Sequence, residues 1–408
     1  MSKIPLINFA NAPLEIIDGD RGENYPKKND FTKNGYCVFL NTGNVTKEGF
    51  DFADAYFITK EKDDLLRKGK ANRDDIILTT RGTVGNVAYY SISTPFSDIR
   101  INSGMVLIRA AKKNIDPYYL YIFLRSDLFK KQISFNVSGS AQPQLPISSL
   151  ENINIPIPDI SRQKSISKIL SKLDEKISLN NHINTELEQM AKTIYNYWFV
   201  QFDFPDEKGK PYKTSGGEMK WNAELKREIP VGWEVKRIDE VATVKAGGDK
   251  PDIFSIEKTE QCLIPIYSNG IDNEGLYGFT NEATIQKQSI TVSARGTIGY
   301  CVLRNNPFAP IIRLIVVTPN IVGSAKYFYE FLKSLEYGKT GSVQQQLTVP
   351  EISSWKIINP ANDVLKKFDE ITSVYVNKIE LLKKETHELI TLRDFLLPLL
   401  MNGQVKVK

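Results

Sequence analysis

The sequence predicts an α+β protein in which two mixed α/β globules are separated by two long helices, paired antiparallel as an intramolecular coiled coil. Three observations carry the prediction. An apolar seam of helical spacing occurs twice at one constant offset. Short β-branched runs bounded by turn residues fill the stretches outside the seams. Three further landmarks recur in the same order in both halves, which makes the chain a tandem repeat with an expected pseudo-twofold axis.

The first seam steps alternately by four and three residues through Ile166, Leu170, Leu173, Ile177, Asn180, Asn184, Leu187, Ala191, Ile194 and Trp198. All but the two asparagines are apolar, the pattern of a helix built to pair with another. The second seam lies 202 residues further on, through Phe368, Thr372, Tyr375, Ile379, Leu382, Thr386, Leu389, Arg393, Leu396 and Leu400. Each helix spans about 48 Å from first to last seam position, at about 1.5 Å per residue. That is the length of a spacer rather than of a core helix. Symmetric pairing around His182 and His387 would place Asn180 near Thr386, a polar pair expected to fix the register.

The chain divides into a first globule (1–158), a first spacer helix (159–203), a linker (204–230), a second globule (231–361) and a second spacer helix (362–408). In the first globule the run Ile76-Ile77-Leu78-Thr79-Thr80 ends at Arg81-Gly82-Thr83-Val84-Gly85. Further strand candidates lie at 87–90 and 105–109, and Pro117 opens a short aromatic helix. Gly139-Ser140-Ala141-Gln142-Pro143-Gln144-Leu145 leads into the spacer. The linker is rich in turn residues, from Pro205 through Ser215-Gly216-Gly217. The second globule repeats the landmarks as Ile290 to Arg295-Gly296-Thr297-Ile298-Gly299, then Tyr327–Leu332, then Gly341-Ser342-Val343-Gln344-Gln345-Gln346-Leu347.

With 408 residues, 25% of them charged and 41% hydrophobic, the chain has ample material for a core in each globule and little room for long disorder. No run reaches the roughly 18 apolar residues a membrane span needs. The stretch Met1-Ser2-Lys3-Ile4-Pro5 lacks a signal-peptide core. Cys37, Cys262 and Cys301 have no metal-ligand spacing and read as buried thiols of a reducing compartment. The expected location is the cytoplasm, with no membrane partner. A net charge of +5 is compatible with a polyanion but does not single one out. Two related globules at fixed separation suit a two-part DNA site, since dimeric DNA-binding proteins reach half-sites about 34–36 Å apart. They equally suit a non-DNA-binding assembly scaffold with two protein-binding domains, and an enzyme remains a third reading.

Four stretches narrow the choice. They are Phe204-Pro205-Asp206-Glu207-Lys208-Gly209-Lys210-Pro211-Tyr212 with Ile229-Pro230-Val231-Gly232-Trp233; Lys192-Thr193-Ile194-Tyr195-Asn196-Tyr197-Trp198-Phe199; Leu392-Arg393-Asp394-Phe395-Leu396-Leu397-Pro398-Leu399-Leu400; and Ile17-Asp18-Gly19-Asp20-Arg21-Gly22. Together they resemble the specificity subunits of type I restriction–modification systems, over the whole chain. The resemblance implies that each globule is a target-recognition domain reading half of a split double-stranded DNA site. It implies that the helices space the domains and dock two methyltransferase subunits, with motor–nuclease restriction subunits joining them. It also implies no chemistry and no cofactor in this chain, with S-adenosylmethionine, ATP and Mg on the partner subunits.

The residues agree that the chain lacks a catalytic set. Asn306-Pro307-Phe308 is one proline short of an adenine-methyltransferase motif, and Asn359-Pro360 does not fit it. Gly338-Lys339-Thr340 has Lys333 where a phosphate-binding loop needs glycine. Asp174-Glu175-Lys176 and Asp206-Glu207-Lys208 have a nuclease-like spacing on a helix and in a turn. Two histidines leave little for acid–base work, and no spacing suggests a metal site.

Candidate DNA contacts are of two kinds. Residues shared by both globules cannot explain two different half-sites, so Arg81, Thr83, Arg295 and Thr297 are read as phosphate-positioning or turn-forming. Gln142, Gln144, Gln344 and Gln346 could meet adenine edges or brace the return into the helix. Base readers are expected where the globules differ: Lys27, Lys28, Asn29, Lys60, Lys62 and Arg67 in the first, Lys250, Lys258 and Lys287 in the second. Each of these could also be a solvated surface charge. Tyr197, Trp198, Phe199, Phe395, Leu396 and Leu400 carry more apolar surface than one seam covers. They either pack under a globule or dock the methyltransferase subunits.

Overall fold

A computed structural model describes residues 4–134, 144–337 and 346–405. The chain forms two compact units, 1–181 with 383–408, and 182–382. The long helices run over Ile160–Tyr195 and Asn362–Met401. The units cut across the five-segment division, because each takes one part of both helices into its own core.

The first unit is organised on a four-stranded antiparallel sheet in the order Leu14–Asp18, Met105–Ala110, Ile76–Thr79, Val87–Tyr89. Its strands are apolar on both sides, and their alternation shows why. Ile76, Leu78, Val106 and Ile108 face a core shared with Leu120, Phe123 and Phe129 of the short helices Pro117–Arg125 and Asp127–Ser134. Ile166 and Leu170 of the first long helix and Leu397, Leu400 and Met401 of the second complete that core. Ile77, Met105 and Leu107 face the other way, against Val38, Leu40, Ile99 and Ile101. These last belong to a three-stranded sheet, Tyr56–Ile58, Cys37–Leu40, Ile99–Ile101, whose central strand pairs antiparallel on one side and parallel on the other.

The second unit repeats the plan. Its four-stranded sheet runs Ala242–Ala246, Ile315–Pro319, Ser289–Val292, Cys301–Arg304. Its three-stranded sheet runs Leu276–Thr280, Ile264–Tyr267, Ala309–Pro310, with the same antiparallel and parallel pairing. The helix Ala325–Ser334 and the long-helix residues Trp198, Phe199 and Phe368 close the core. The linker, read from the sequence as turn-rich, also contains a hairpin of Met219–Asn222 with Arg227–Pro230. Phe204 stacks between Tyr212 (4.6 Å) and Trp233 (4.8 Å), which fastens the linker to this core.

Within the first unit the helices pair antiparallel, since partner numbers fall on one as they rise on the other. Arg393, the charged departure from the seam, bonds Asp174 at 2.8 Å, and Asp174 also takes Arg125 (3.0 Å) and the Tyr118 hydroxyl (2.6 Å). That network gives the Asp174-Glu175-Lys176 motif a structural role. Asn180 Nδ2 donates to Glu385 Oε2 at 2.8 Å and to Thr386 Oγ1 at 3.4 Å, the pairing the seam implies. Its Oδ1 is buried with no hydrogen-bond partner among the described residues. A buried orphan acceptor costs about 1–3 kcal/mol, so a register role for this asparagine would come at the expense of stability. Asn180→Leu is expected to raise the melting midpoint and to let cysteine pairs one heptad out of register cross-link. An unchanged midpoint with native-only cross-links would remove the register role.

Candidate nucleic-acid interface

In each unit four loops meet at one end of the sheets. The first is the hairpin after the central β-branched run. Gly82 (φ 70°) and Gly85 (φ 91°) turn the chain in the first unit, Gly296 (φ 70°) and Gly299 (φ 82°) in the second. L-residues avoid this region, so the glycines hold the turn tight. Gly85 N donates to Thr79 O at 3.0 Å and Gly299 N to Ser293 O at 2.9 Å. The turn-forming reading of Arg81-Gly82-Thr83 and Arg295-Gly296-Thr297 therefore holds, and it leaves Arg81, Thr83, Arg295 and Thr297 exposed at the tip.

The second loop is the glutamine return, which the sequence placed far from the arginine. Leu145 N donates to Thr80 O (2.9 Å) and Gln144 forms a bridge with Arg81. Leu347 N donates to Ala294 O (3.1 Å), and Arg295 Nη2 donates to Gln346 Oε1 (3.0 Å). Each unit thus presents an exposed Arg beside an exposed Gln. Gln142 and Gln344 lie outside the described residues.

The third loop follows the central strand of the three-stranded sheet. Thr83 Oγ1 donates to Thr42 O at 3.1 Å. In the second unit Asn269 takes this place: its Oδ1 accepts from Ala294 N (2.7 Å) and its Nδ2 donates to Ile312 O (2.6 Å).

The fourth is the turn entering the inner strand. In the first unit Met105 N donates to Asn102 O, and Gly104 O accepts from Thr80 N (2.8 Å) and Arg81 N (3.1 Å). In the second, Leu314 N donates to Ile311 O across Ile312 (φ 53°) and Arg313 (φ 61°). Two successive non-glycine residues with positive φ, one of them β-branched, store on the order of 1–3 kcal/mol each. Arg313 was not legible in the sequence, because no spacing marks an inverted turn. Arg21 was also passed over, although it stands in the Asp-Gly-Asp-Arg-Gly stretch. Its Nη2 reaches Ser103 O at 3.4 Å on the same rim and pairs with Asp18 at 3.1 Å.

A family model for the type I restriction modification DNA specificity domain matches residues 14–189 and 230–391, one stretch in each half. The chain belongs to this family. It is 27% identical over 352 residues to the type I restriction enzyme MjaIX specificity subunit of Methanocaldococcus jannaschii, covering 82% of this chain and 78% of that one. It is 24% identical to the HindI specificity subunit of Haemophilus influenzae, covering 95% and 98%. The crystal structure of the type I restriction–modification S subunit from M. genitalium shares the fold, with a TM-score of 0.59 at 17% identity over 97% of this chain and 95% of that one.

The remaining candidates of this specificity-family chain fall into other surroundings. Lys27, Lys28, Asn29 and Lys60 are exposed, and Lys62 pairs with Asp30 at 3.2 Å. Among the described residues this basic patch makes no hydrogen bond or ion pair to the Arg81 hairpin. Lys250 lies 4.4 Å over the Phe254 ring, while Lys258 and Lys287 are exposed. The docking set divides. Trp198 and Phe199 pack on Phe368 (5.9 and 5.0 Å), and Leu400 is 2% exposed, so none of the three offers a surface without opening its own core. Leu396 is half-buried, whereas Tyr197 and Phe395 are exposed, the latter by 64%. Among the described residues no His, Cys, Asp or Glu cluster could hold a metal ion, and no helix is long and apolar enough to cross a membrane.

Asp20 explains how the Arg21 loop is held. Burial alone would raise its carboxyl, but backbone N–H groups of Gly22, Arg67 and Lys68, with the Arg67 charge, hold it below the usual range. A depressed folded value means its stabilisation is present above the unfolded pKa of about 3.9 and is lost as pH falls through the folded one. Asp20→Asn should lower the melting midpoint at pH 7 and flatten its decline below about pH 4. A decline parallel to wild type would show that Asp20 does not hold the loop.

Proposed function

We propose that this chain is the DNA-specificity subunit of a type I restriction–modification complex. Each unit reads one half of a bipartite, asymmetric site in double-stranded DNA. The paired helices set the unread gap and dock two methyltransferase subunits, and restriction subunits join that assembly. The chain performs no chemistry, and S-adenosylmethionine, ATP and Mg belong to the partner subunits. The observation that carries this reading is the duplicated site. Both units present an exposed arginine on a glycine-bounded hairpin next to an exposed glutamine. A guanidinium so placed suits phosphate, and the shared geometry would seat both units on the duplex in the same way.

Binding of the assembled complex to duplex DNA across a salt series tests this. Arg81→Ala and Arg295→Ala should each weaken binding on all sequences and reduce the slope of log K against log salt by about one. Unchanged slopes in both variants would leave the hairpins a purely structural role.

Docking is tested at the exposed end of the second helix. Phe395→Ala should reduce co-purification with the methyltransferase subunit while leaving the melting midpoint within about 0.5 kcal/mol-equivalent of wild type, as for other surface changes. Retention at wild-type strength would move docking elsewhere.

A further inference from the structure

We propose that Arg313, with Ile312 beside it, reads bases in the half-site met by the second unit. Arg313 serves as a two-pronged donor to a guanine edge in the major groove, and Ile312 as an apolar contact to a neighbouring thymine methyl. This rests on the DNA-reading function proposed above and assigns part of it to one turn.

A position that occupies the same place in both units and carries different side chains can distinguish two different half-sites. The strand registers identify such a place. Val106 pairs with Asp18 and Leu78, as Ile315 pairs with Ala246 and Val292. Counting back from these, the turn Asn102-Ser103-Gly104-Met105 corresponds to Ile311-Ile312-Arg313-Leu314. Both turns close with the same hydrogen bond, from the amide of the fourth residue to the carbonyl of the first. Arg313 therefore stands where the first unit has Gly104, and Ile312 where it has Ser103.

The turn is also inverted. Positive φ at both central residues is the signature of a type I′ turn, which glycine and asparagine adopt without strain and isoleucine does not. In the first unit the Gly104 carbonyl holds the Thr80 and Arg81 amides. In the second the equivalent Ala294 amide bonds the Asn269 side chain instead, and that side chain's amide group holds the Ile312 carbonyl. One asparagine thus supplies the missing acceptor and fixes the inverted turn against the residue preceding Arg295. The outcome is an exposed Arg313 that makes no side-chain hydrogen bond or ion pair among the described residues, next to a half-exposed Ile312. Both lie beside the arginine hairpin that seats the unit on the backbone.

Arginine's planar fork matches guanine O6 and N7, and a β-branched methyl suits the thymine C5 methyl. A phosphate contact would need only a cation, which an unstrained turn could present. Keeping an isoleucine and an arginine in a conformation suited to glycine argues that these side chains, in this orientation, are what the site uses.

The test uses the full chain assembled with its methyltransferase subunits and a random-sequence duplex library, with bound duplexes sequenced and affinities measured across salt. Wild type is expected to enrich a bipartite motif. Arg313→Ala should relax one guanine in one half and weaken the cognate duplex about 5- to 150-fold, leaving the other half and the gap unchanged. Arg313→Lys, which cannot make the paired contact, should behave alike. Arg313→Gly relieves the strain, so it should lose the same base with a melting midpoint at or above wild type, which separates lost readout from lost fold. An intact motif in Arg313→Ala overturns the proposal. So does a uniform loss on all duplexes with the salt slope reduced by about one, which marks a phosphate contact. If wild type enriches no motif, the DNA-reading function itself fails, and this inference with it.

Discussion

The inner strands of each four-stranded sheet are buried on both faces, and the rest of the structure follows from the need to cover the sheet twice. Both faces are apolar in the first unit, whereas Ser289, Thr291 and Arg304 line one face in the second. One face takes short helices and pieces of both long helices. The other takes the three-stranded sheet. Two layers closing on one sheet bring their loops together at its end, where the arginine hairpin, the glutamine return and the two turns meet. Covering a face of several large aliphatic side chains is worth about 1.5–3 kcal/mol for each one fully buried. That far exceeds the strain held in the turn at Ile312 and Arg313, so the scaffold tolerates a conformation its loops would not adopt alone.

The parts legible in the sequence were those whose residue types repeat. Asn180 and Thr386 meet as the seam spacing implied, and the Arg-Gly-Thr stretches form tight turns, one of the two roles read for them. The three-stranded sheets were not legible as a repeat. Cys37–Leu40 and Ile264–Tyr267 are topologically equivalent, but they share only a pairing pattern, which backbone hydrogen bonds dictate and side chains do not. The linker hairpin was hidden by the abundance of turn residues between its strands and the helix.

The candidate site was half legible for a related reason. Arg81 and Gln144, or Arg295 and Gln346, were each visible as repeated motifs, but strand register brings them together and sequence distance does not. Arg313 carried no signal at all, since its neighbours Ile311 and Ile312 look like the continuation of a strand. Trp198 and Phe199 were ambiguous because large aromatics at a helix end serve a core and a partner equally well. Their stacking on Phe368 and, for Phe199, on Tyr327 at 4.6 Å assigns them to the core.

The way the units divide the chain has a consequence for synthesis. The second unit is a single contiguous stretch, 182–382, whereas the first joins 1–181 to 383–408. Leu397, Leu400 and Met401 belong to the first unit's core, so the earliest-made globule stays open on its helical face until those residues leave the ribosome. Domains ordinarily fold from the N-terminus as they emerge. Here the later-made unit can close first, and the earlier one waits for the second helix with part of its core uncovered.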